Sequence, residues 1–484
     1  AVELLTLRAV QCLKNADVVL YDYLANPQAL EFASASAECI CLGRHGREKI
    51  WSQDEINVRL VAEARAGKNV VRLKGGDPAI FARTAEEVAA LNEAGIEFEI
   101  VPGVTAALAA GSYAGIPATH RDRASAVALV TGHEQDGKGA SAIDWPALAK
   151  FPGTLVVYMG VTTAPRWTGA LLAAGKPADT PAAIVRHCSR ADQQTIRCTL
   201  GEVAQRMTGA EKLRPPATII IGEVAALDET WNWFQRRPLF GKTILVTRPI
   251  DQARSLRDKL ANLGAEVLLQ PAIEISDPED WSPVDAALAQ IDSYDWLVFS
   301  SANGVRHLLK RLFDSGRDLR ALGSTRIAAI GEKTADELRK FHLQADLVPQ
   351  QFRAESLASE LATGAKGQKF LLARASRGRE VLADELTAAG GIVDQIVVYQ
   401  STDVTSPDEE INSRMAGGQI DWVTVTSSAI ATSLVNLFGD DLNNTKLASI
   451  SPITSETLRT LGHAPDAEAA EYTTDGLVDA IKRD

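Results

Sequence analysis

The chain has no run of about 18 apolar residues, so no membrane-spanning helix is expected. It has no excess of basic residues: 50 Lys and Arg stand against 62 Asp and Glu, a net charge of −12. A nucleic-acid-binding protein should carry a basic stripe, so that class is set aside. Small anionic substrates are not, because a pocket can be locally basic in an acidic protein. Cysteine is scarce. Cys12, Cys39, Cys41, Cys188 and Cys198 all lie in the first half, odd in number and without Cys-x-x-Cys spacing. That speaks against a disulfide framework and against a metal site. Buried free thiols in a reducing cytoplasm are expected instead, with Cys39 and Cys41 sharing one face of a strand. The start, Ala1-Val2-Glu3-Leu4-Leu5, has neither an initiator Met nor a basic signal region, and reads as an amino-terminal truncation.

What remains is ordinary globular material. Hydrophobic residues make up 46% and charged residues 23% of 484 positions, enough for about three domains by length. The first half alternates short apolar strands (17–21, 39–42, 70–73, 98–101) with helical patterns at 53–65 and 84–94, the rhythm of a parallel α/β sheet. A second lobe begins near residue 118, with strands at 126–130, 154–159, 182–185 and 217–221. Residues 228–240 have neither period and read as a linker whose Trp231, Trp233 and Phe234 pack on a neighbouring surface. Beyond Gly241 a new α/β series starts. Long strands around 266–275 and 392–402 flank residues 276–391, which suggests two lobes joined by a two-strand connection with a ligand cleft between them.

The most informative loop is Gly75-Gly76-Asp77-Pro78, at the carboxyl end of the apolar strand 70–73. Paired glycines there let a ligand approach the backbone, and strand carboxyl ends are where open α/β sheets bind ligands. Asp77 adds a carboxylate for hydroxyl or ammonium donors. Val101-Pro102-Gly103-Val104-Thr105-Ala106 repeats the device, and Gly115-Ile116-Pro117 ends the helix that follows. In the second half, Ser300-Ser301-Ala302-Asn303-Gly304 follows a strand and can donate to carboxylates. Asp421–Ser428 echoes it, which hints at pseudo-symmetric lobes.

The ordered segments Glu3-Leu4-Leu5-Thr6, Tyr21-Asp22, 71–78, 101–106, 114–121, 154–160 and 215–227 resemble the tetrapyrrole methylases, most closely uroporphyrinogen-III C-methyltransferase, over about residues 1–228. The resemblance implies S-adenosylmethionine as methyl donor, held by Gly75, Gly76, Asp77, Ile80, Thr105, Ala106, Met159, Cys188 and Ala217. It puts the proton acceptor on Asp22. The proton donor falls on Arg44, where relatives carry Lys; a permanent guanidinium charge suits a substrate carboxylate better than proton donation. Neighbouring His45 could titrate near neutral pH. The family's first strand and Gly-x-Gly-Pro-Gly-Asp loop would precede Ala1.

Residues 241–484 resemble uroporphyrinogen-III synthase, which cyclises the polycarboxylate hydroxymethylbilane with loss of water and inversion of the last ring, without metal or organic cofactor. Substrate-binding candidates are Arg248, Ser300, Ser301, Asn303, Lys333, Arg374 and Thr426, and the catalytic candidate is Tyr399, a phenol that assists departure of the hydroxyl. The implied architecture is α/β throughout: a two-lobed methylase domain (lobes about 1–117 and 118–228), a linker (229–240), and a two-lobed synthase domain with flavodoxin-like lobes (one about 241–273 plus 403–484, the other about 276–396). The implied protein is a bifunctional siroheme and cobalamin pathway enzyme, homodimeric through its methylase half. Alternative readings are a synthase carrying a degenerate binding or dimerisation module, or a methylase acting on a later precorrin.

Overall fold

The computed structural model describes residues 2–43, 50–134, 141–209, 213–351, 354–378 and 380–483. It divides into two compact units, Ala1–Lys242 with Leu260–Glu266, and Thr243–Lys259 with Val267–Asp484. Among the described residues no helix is long and apolar enough to cross a membrane.

The first unit holds two sheets. Strands β1 (Val18–Tyr21), β2 (Glu38–Cys41) and β3 (Val70–Leu73) form a parallel sheet in the order β2-β1-β3. Residues 98–101 pair with no strand among the described residues, and Phe98 and Ile100 are exposed. Their apolar pattern suits a strand, but a strand needs a ladder partner to satisfy its backbone. None of the five free cysteines is fully buried, against expectation; Cys39 is exposed because β2 is an edge strand. The helix Gln53–Arg65 starts where a capping box forms between Ser52 and Glu55.

The second sheet contains β4 (Val127–Thr131), β5 (Thr154–Tyr158), β6 (Pro181–Arg186), β7 (Gln194–Thr199) and β8 (Ala217–Ile221), ordered β4-β5-β8-β6-β7. β4 and β5 are parallel, and the other pairs antiparallel. The strand β7, with its mixed sequence Gln-Thr-Ile-Arg-Cys-Thr, has no counterpart in the sequence reading. The segment read as a linker packs on this unit. Trp233 Nε1 donates to the Ser112 carbonyl at 2.9 Å, and Phe234, only 4% exposed, meets Tyr113 edge-on. Arg237 lies over the Trp233 and Phe234 rings. Gly115, at φ +67°, caps the helix Ala106–Ala114 where the Trp231 carbonyl crosses so closely that a Cβ would collide with it.

In the second unit, β9 (Thr243–Val246) and β10 (Glu266–Leu269) join one sheet while β11 (Ile273–Ser276) joins another. The single strand expected over 266–275 is therefore two. The chain turns at Gln270-Pro271, where proline has no amide to give a ladder. The second sheet also contains β12 (Trp296–Phe299), β13 (Arg326–Ala329), β14 (Lys369–Ala375) and the long β15 (Ile392–Asp403), in the order β11-β15-β14-β12-β13. β15 runs parallel to β14 in its first part and antiparallel to β11 in its last. The remaining strands, β16 (Trp422–Val425), β17 (Lys446–Ser449) and β18 (Ala467–Glu468), return to the first sheet, giving β10-β9-β16-β17-β18. That is the flavodoxin-like order 2-1-3-4-5. Helices fill both faces of each sheet, with separate cores around Phe299 and Leu308 in one lobe and Val423 and Leu434 in the other.

Candidate functional site

In the first unit the expected loops meet at the carboxyl ends of β1 and β3. Asp77 Oδ1 accepts the Ala79 amide at 2.8 Å, and Oδ2 accepts the Gly103 amide at 3.0 Å. The carboxylate thus braces two loops against each other rather than standing open for a ligand ammonium. Gly75 and Gly76 are exposed beside it and Ile80 is half-buried. Thr105 precedes the helix Ala106–Ala114, and its hydroxyl shares a 2.6 Å hydrogen bond with the Tyr158 hydroxyl, which also accepts the Ala107 amide at 2.9 Å. Tyr158 at the end of β5 is therefore the helix cap, supplied by the other lobe. Phe81 lies against it, ring centroids 5.0 Å apart.

Met159, half exposed, follows at the end of β5. Continuing the β5–β8 register places it opposite Ala217, which itself pairs with Arg186. Cys188 sits two residues further on, packed against the apolar cluster under the helix Ala106–Ala114, and burial pushes its thiol up to about 12. Phe81, Arg83, Met159, His187 and Ser189 all have positive φ, five of the six such non-glycine residues described. Backbone held in this sparsely populated region concentrates at ligand sites. No sequence signal marks it.

Asp22 ends β1. Its Oδ1 accepts Arg72 Nη2 at 2.7 Å. Arg72 Nε also reaches Glu87 Oε1 at 3.1 Å, and Glu87 Oε2 lies 2.8 Å from Lys74 Nζ. Desolvation lowers the Lys74 pKa, more than the Glu87 contact raises it. This chain of alternating charges, Asp22–Arg72–Glu87–Lys74, is absent from the sequence reading. Its one visible sign is a pair of cations at alternate positions running out of an apolar strand. Arg44 and His45 lie outside the described residues.

The second unit gathers its candidates where strand ends meet helix amino termini, positions suited to anions. Ser301 caps the helix Ala302–Asp314 by accepting the Gly304 amide at 3.0 Å, and its Oγ is 3.1 Å from Tyr399 Oη. Asn303 Oδ1 accepts Gln252 Nε2 and Arg306 Nη2, both at 3.1 Å. Gln252 in turn accepts Arg248 Nη2 at 3.1 Å. Arg248 has no acidic partner among the described residues, and burial with the Arg306 charge lowers its pKa. Lys333 is lowered by desolvation and by Arg248, and donates to the Tyr472 carbonyl at 3.4 Å. Arg248 and Lys333 are thus neighbouring cations with no counter-ion among the described residues. Ser300 and Thr426 end β12 and β16 at corresponding places in the two sheets.

Arg374 does not join them. It lies on the other face of β14 from Ala373 and Ala375, and bonds Glu380 and Gln395 at 2.8 and 2.5 Å. Tyr399 would share that face if β15 alternated regularly. The register slips by one, however: Arg374 pairs with Val397 but Ala375 with Tyr399, so Val398 is an extra residue. The bulge turns Tyr399 toward the helix Ala302–Asp314.

Residues 1–204 match the tetrapyrrole (corrin/porphyrin) methylases, and residues 254–479 match uroporphyrinogen-III synthase HemD. The porphyrin biosynthesis protein HemD of Ruminiclostridium josui is 34% identical over 433 residues, covering 89% of this chain and 86% of that protein. The uroporphyrinogen-III C-methyltransferase of Bacillus subtilis (strain 168) is 37% identical over 337 residues, 70% of this chain and 68% of that protein. The chain belongs to the tetrapyrrole methylases and the uroporphyrinogen-III synthases, fused in that order. The crystal structure of a uroporphyrin-III C-methyl transferase from Thermus thermophilus complexed with S-adenyl homocysteine is 39% identical, with a TM-score of 0.40, and covers 47% of this chain and 94% of that one.

In the methylase unit, the surfaces left open by internal bonding are the Gly75-Gly76 backbone and the exposed apolar Phe81, Val104 and Met159. In the synthase unit they are the Arg248 and Lys333 charges and the Ser300 and Thr426 hydroxyls. An apolar wall beside free backbone suits a nucleoside with an amino-acid tail. Cations and hydroxyls at strand ends suit a polycarboxylate.

Proposed function

We propose that the synthase unit cyclises hydroxymethylbilane to uroporphyrinogen III and that the methylase unit methylates this product twice to precorrin-2, with S-adenosylmethionine as donor. The observation that carries the reading is the pairing of the two families on one chain, since the product of one reaction is the substrate of the other.

Bound S-adenosylmethionine supplies an electrophilic methyl group on a sulfonium. The chain's own residues then orient and deprotonate. Asp22 takes the proton released by the attacking pyrrole, while Arg72 holds its carboxylate in place. Phe81, Val104 and Met159 shield the reacting centre from water. Gly75, Gly76, Ile80, Ala106 and Ala217 form the cradle; Asp77, Thr105 and Cys188 shape it from behind.

In the synthase unit, Arg248, Lys333, Ser300, Asn303 and Thr426 hold substrate carboxylates. The substrate C–O bond breaks with its electron pair on oxygen, and the Tyr399 proton completes a water molecule. The phenolate recovers a proton when the new ring carbon rearomatises. Fixing the two chain ends together is worth several kcal/mol of the barrier.

The free thiols fit a cytoplasmic protein, and exposed Leu24 and Leu108 fit a homodimer through the methylase unit; light scattering would measure its mass. Incubating the whole chain with hydroxymethylbilane and S-adenosylmethionine tests the reading. Precorrin-2 is expected. Type I isomer alone would refute the synthase assignment, and unmethylated uroporphyrinogen III would leave the amino unit a binding module.

A further inference from the structure

The bulge at Val398 brings Tyr399 against two residues of the 302–314 helix and its cap. Ser301 Oγ already accepts the Gly304 amide, so its own proton is available to Tyr399 Oη. With Ser301 as the donor in that pair, the phenol proton is free for a substrate hydroxyl. One turn and a half further along, the His307 imidazole stacks on the Tyr399 ring, centroids 5.5 Å apart and planes 28° from parallel. His307 Nδ1 is 3.2 Å from Asp277 Oδ1. Asp277 directly follows β11, whose last residue Ser276 pairs with Gln400 beside Tyr399. The stacking ring is therefore tied to the same strand pair that carries the phenol. Arg306 and Lys310 flank the imidazole from its own helix, and burial lowers its pKa more than Asp277 raises it, so the ring is neutral at neutral pH.

We propose that His307, anchored by Asp277, is a positioning residue that fixes the Tyr399 ring so that its hydroxyl meets the departing hydroxyl of the linear substrate. This rests on the reading that Tyr399 is the proton donor. A phenol has two rotatable bonds. The Ser301 contact restrains its tip, and the stack restrains the swing of the whole ring about its first side-chain bond, the motion that would displace the hydroxyl. Loss of the stack widens the range of hydroxyl positions and lowers the turnover rate without removing any substrate contact.

The test uses the full chain and hydroxymethylbilane, with type III isomer formation as readout. His307→Ala should lower kcat about tenfold with KM within about twofold, and His307→Phe, which keeps a flat ring, should recover kcat to within about threefold of wild type. Asp277→Ala alters a side chain that is mostly exposed, and should lower kcat about threefold. A thermal midpoint within about 3 °C of wild type separates these effects from unfolding; were His307→Ala to unfold, Phe and Asp277→Ala would decide. Unchanged kcat in His307→Ala, a matching rise in KM, or no recovery by Phe would overturn the proposal. Tyr399→Phe distinguishes the underlying reading: wild-type rate there would sink the proton-donor role itself, whereas an impaired Tyr399→Phe beside a normal His307→Ala would sink the positioning role alone.

Discussion

A Cβ placed on Gly103 would lie 2.2 Å from the carbonyl oxygen of Gly76. The two candidate cofactor loops touch backbone to backbone, and Asp77 clamps the contact through the Gly103 amide. Gly103→Ala should push the loops apart at a cost of about 1–3 kcal/mol. Titration calorimetry with S-adenosylhomocysteine should show at least about a tenfold loss of affinity, the change expected for some 1.4 kcal/mol. Unaltered affinity would mean the loop contact is not part of the pocket.

Glu87, 5% exposed, accepts from both Arg72 and Lys74. Glu87→Gln keeps the shape and removes the charge that two partly buried cations share. For a fully buried pair such a loss costs about 3–5 kcal/mol, so a somewhat smaller loss is expected. Thermal unfolding monitored on the methylase unit should therefore move several degrees lower, and methyl-transfer activity should fall with it, since Arg72 loses one of the acceptors that hold it beside Asp22.

Thiol reactivity should follow burial. The thiolate is the nucleophile, so a raised pKa means a slower reaction at a given pH. Burial pushes Cys188 up to about 12 and Cys198 up to about 11. Timed alkylation of the native protein at mildly alkaline pH, read by peptide mass spectrometry, should label exposed Cys39 first and Cys188 last. Rapid modification of Cys188 would contradict its packing.

Asp403 ends β15 and is held below the usual carboxylate range, first by the Ser433 hydroxyl and then by Arg377, whose Nη1 lies 2.5 Å away. A depressed folded pKa contributes stability above the unfolded value of about 3.9, lost as pH falls through the folded value. The pair is partly solvated, so its share is about 1 kcal/mol or less. Denaturant unfolding of Asp403→Asn should fall below wild type at pH 7, and the difference should begin to shrink as pH falls below the unfolded value of about 3.9. A gap that stays constant as pH falls below that value would point to packing rather than charge.

The parts of the site that sequence made legible are those whose cause is local. Gly75-Gly76-Asp77-Pro78 follows an apolar strand, the Gln53–Arg65 helix carries its own cap, and Gly115 stops its helix by conformation alone. The Phe98–Val101 pattern misled because a strand exists only where another strand receives it. The run 266–275 misled because Pro271 divides it between two sheets. Asp22 was found by its place in an ordered series, but its partner Arg72 was not, since that pairing depends on β1 lying beside β3.

By itself the sequence determined the α/β class and the loops and side-chain types available for chemistry, because these follow from composition, periodicity and short-range spacing; the two families were legible only as a resemblance in the order of its motifs. Only the tertiary structure decided which of those groups face a site. One extra residue at Val398 sends Tyr399 to Ser301 and His307, while Arg374 on the neighbouring strand stays on the opposite face. The same structure spends Asp77 on backbone amides and leaves Arg248 without a counter-ion among the described residues. The reason is physical: strand register and charge pairing are settled between segments distant in the chain, and a slip of one residue reverses which face a side chain meets.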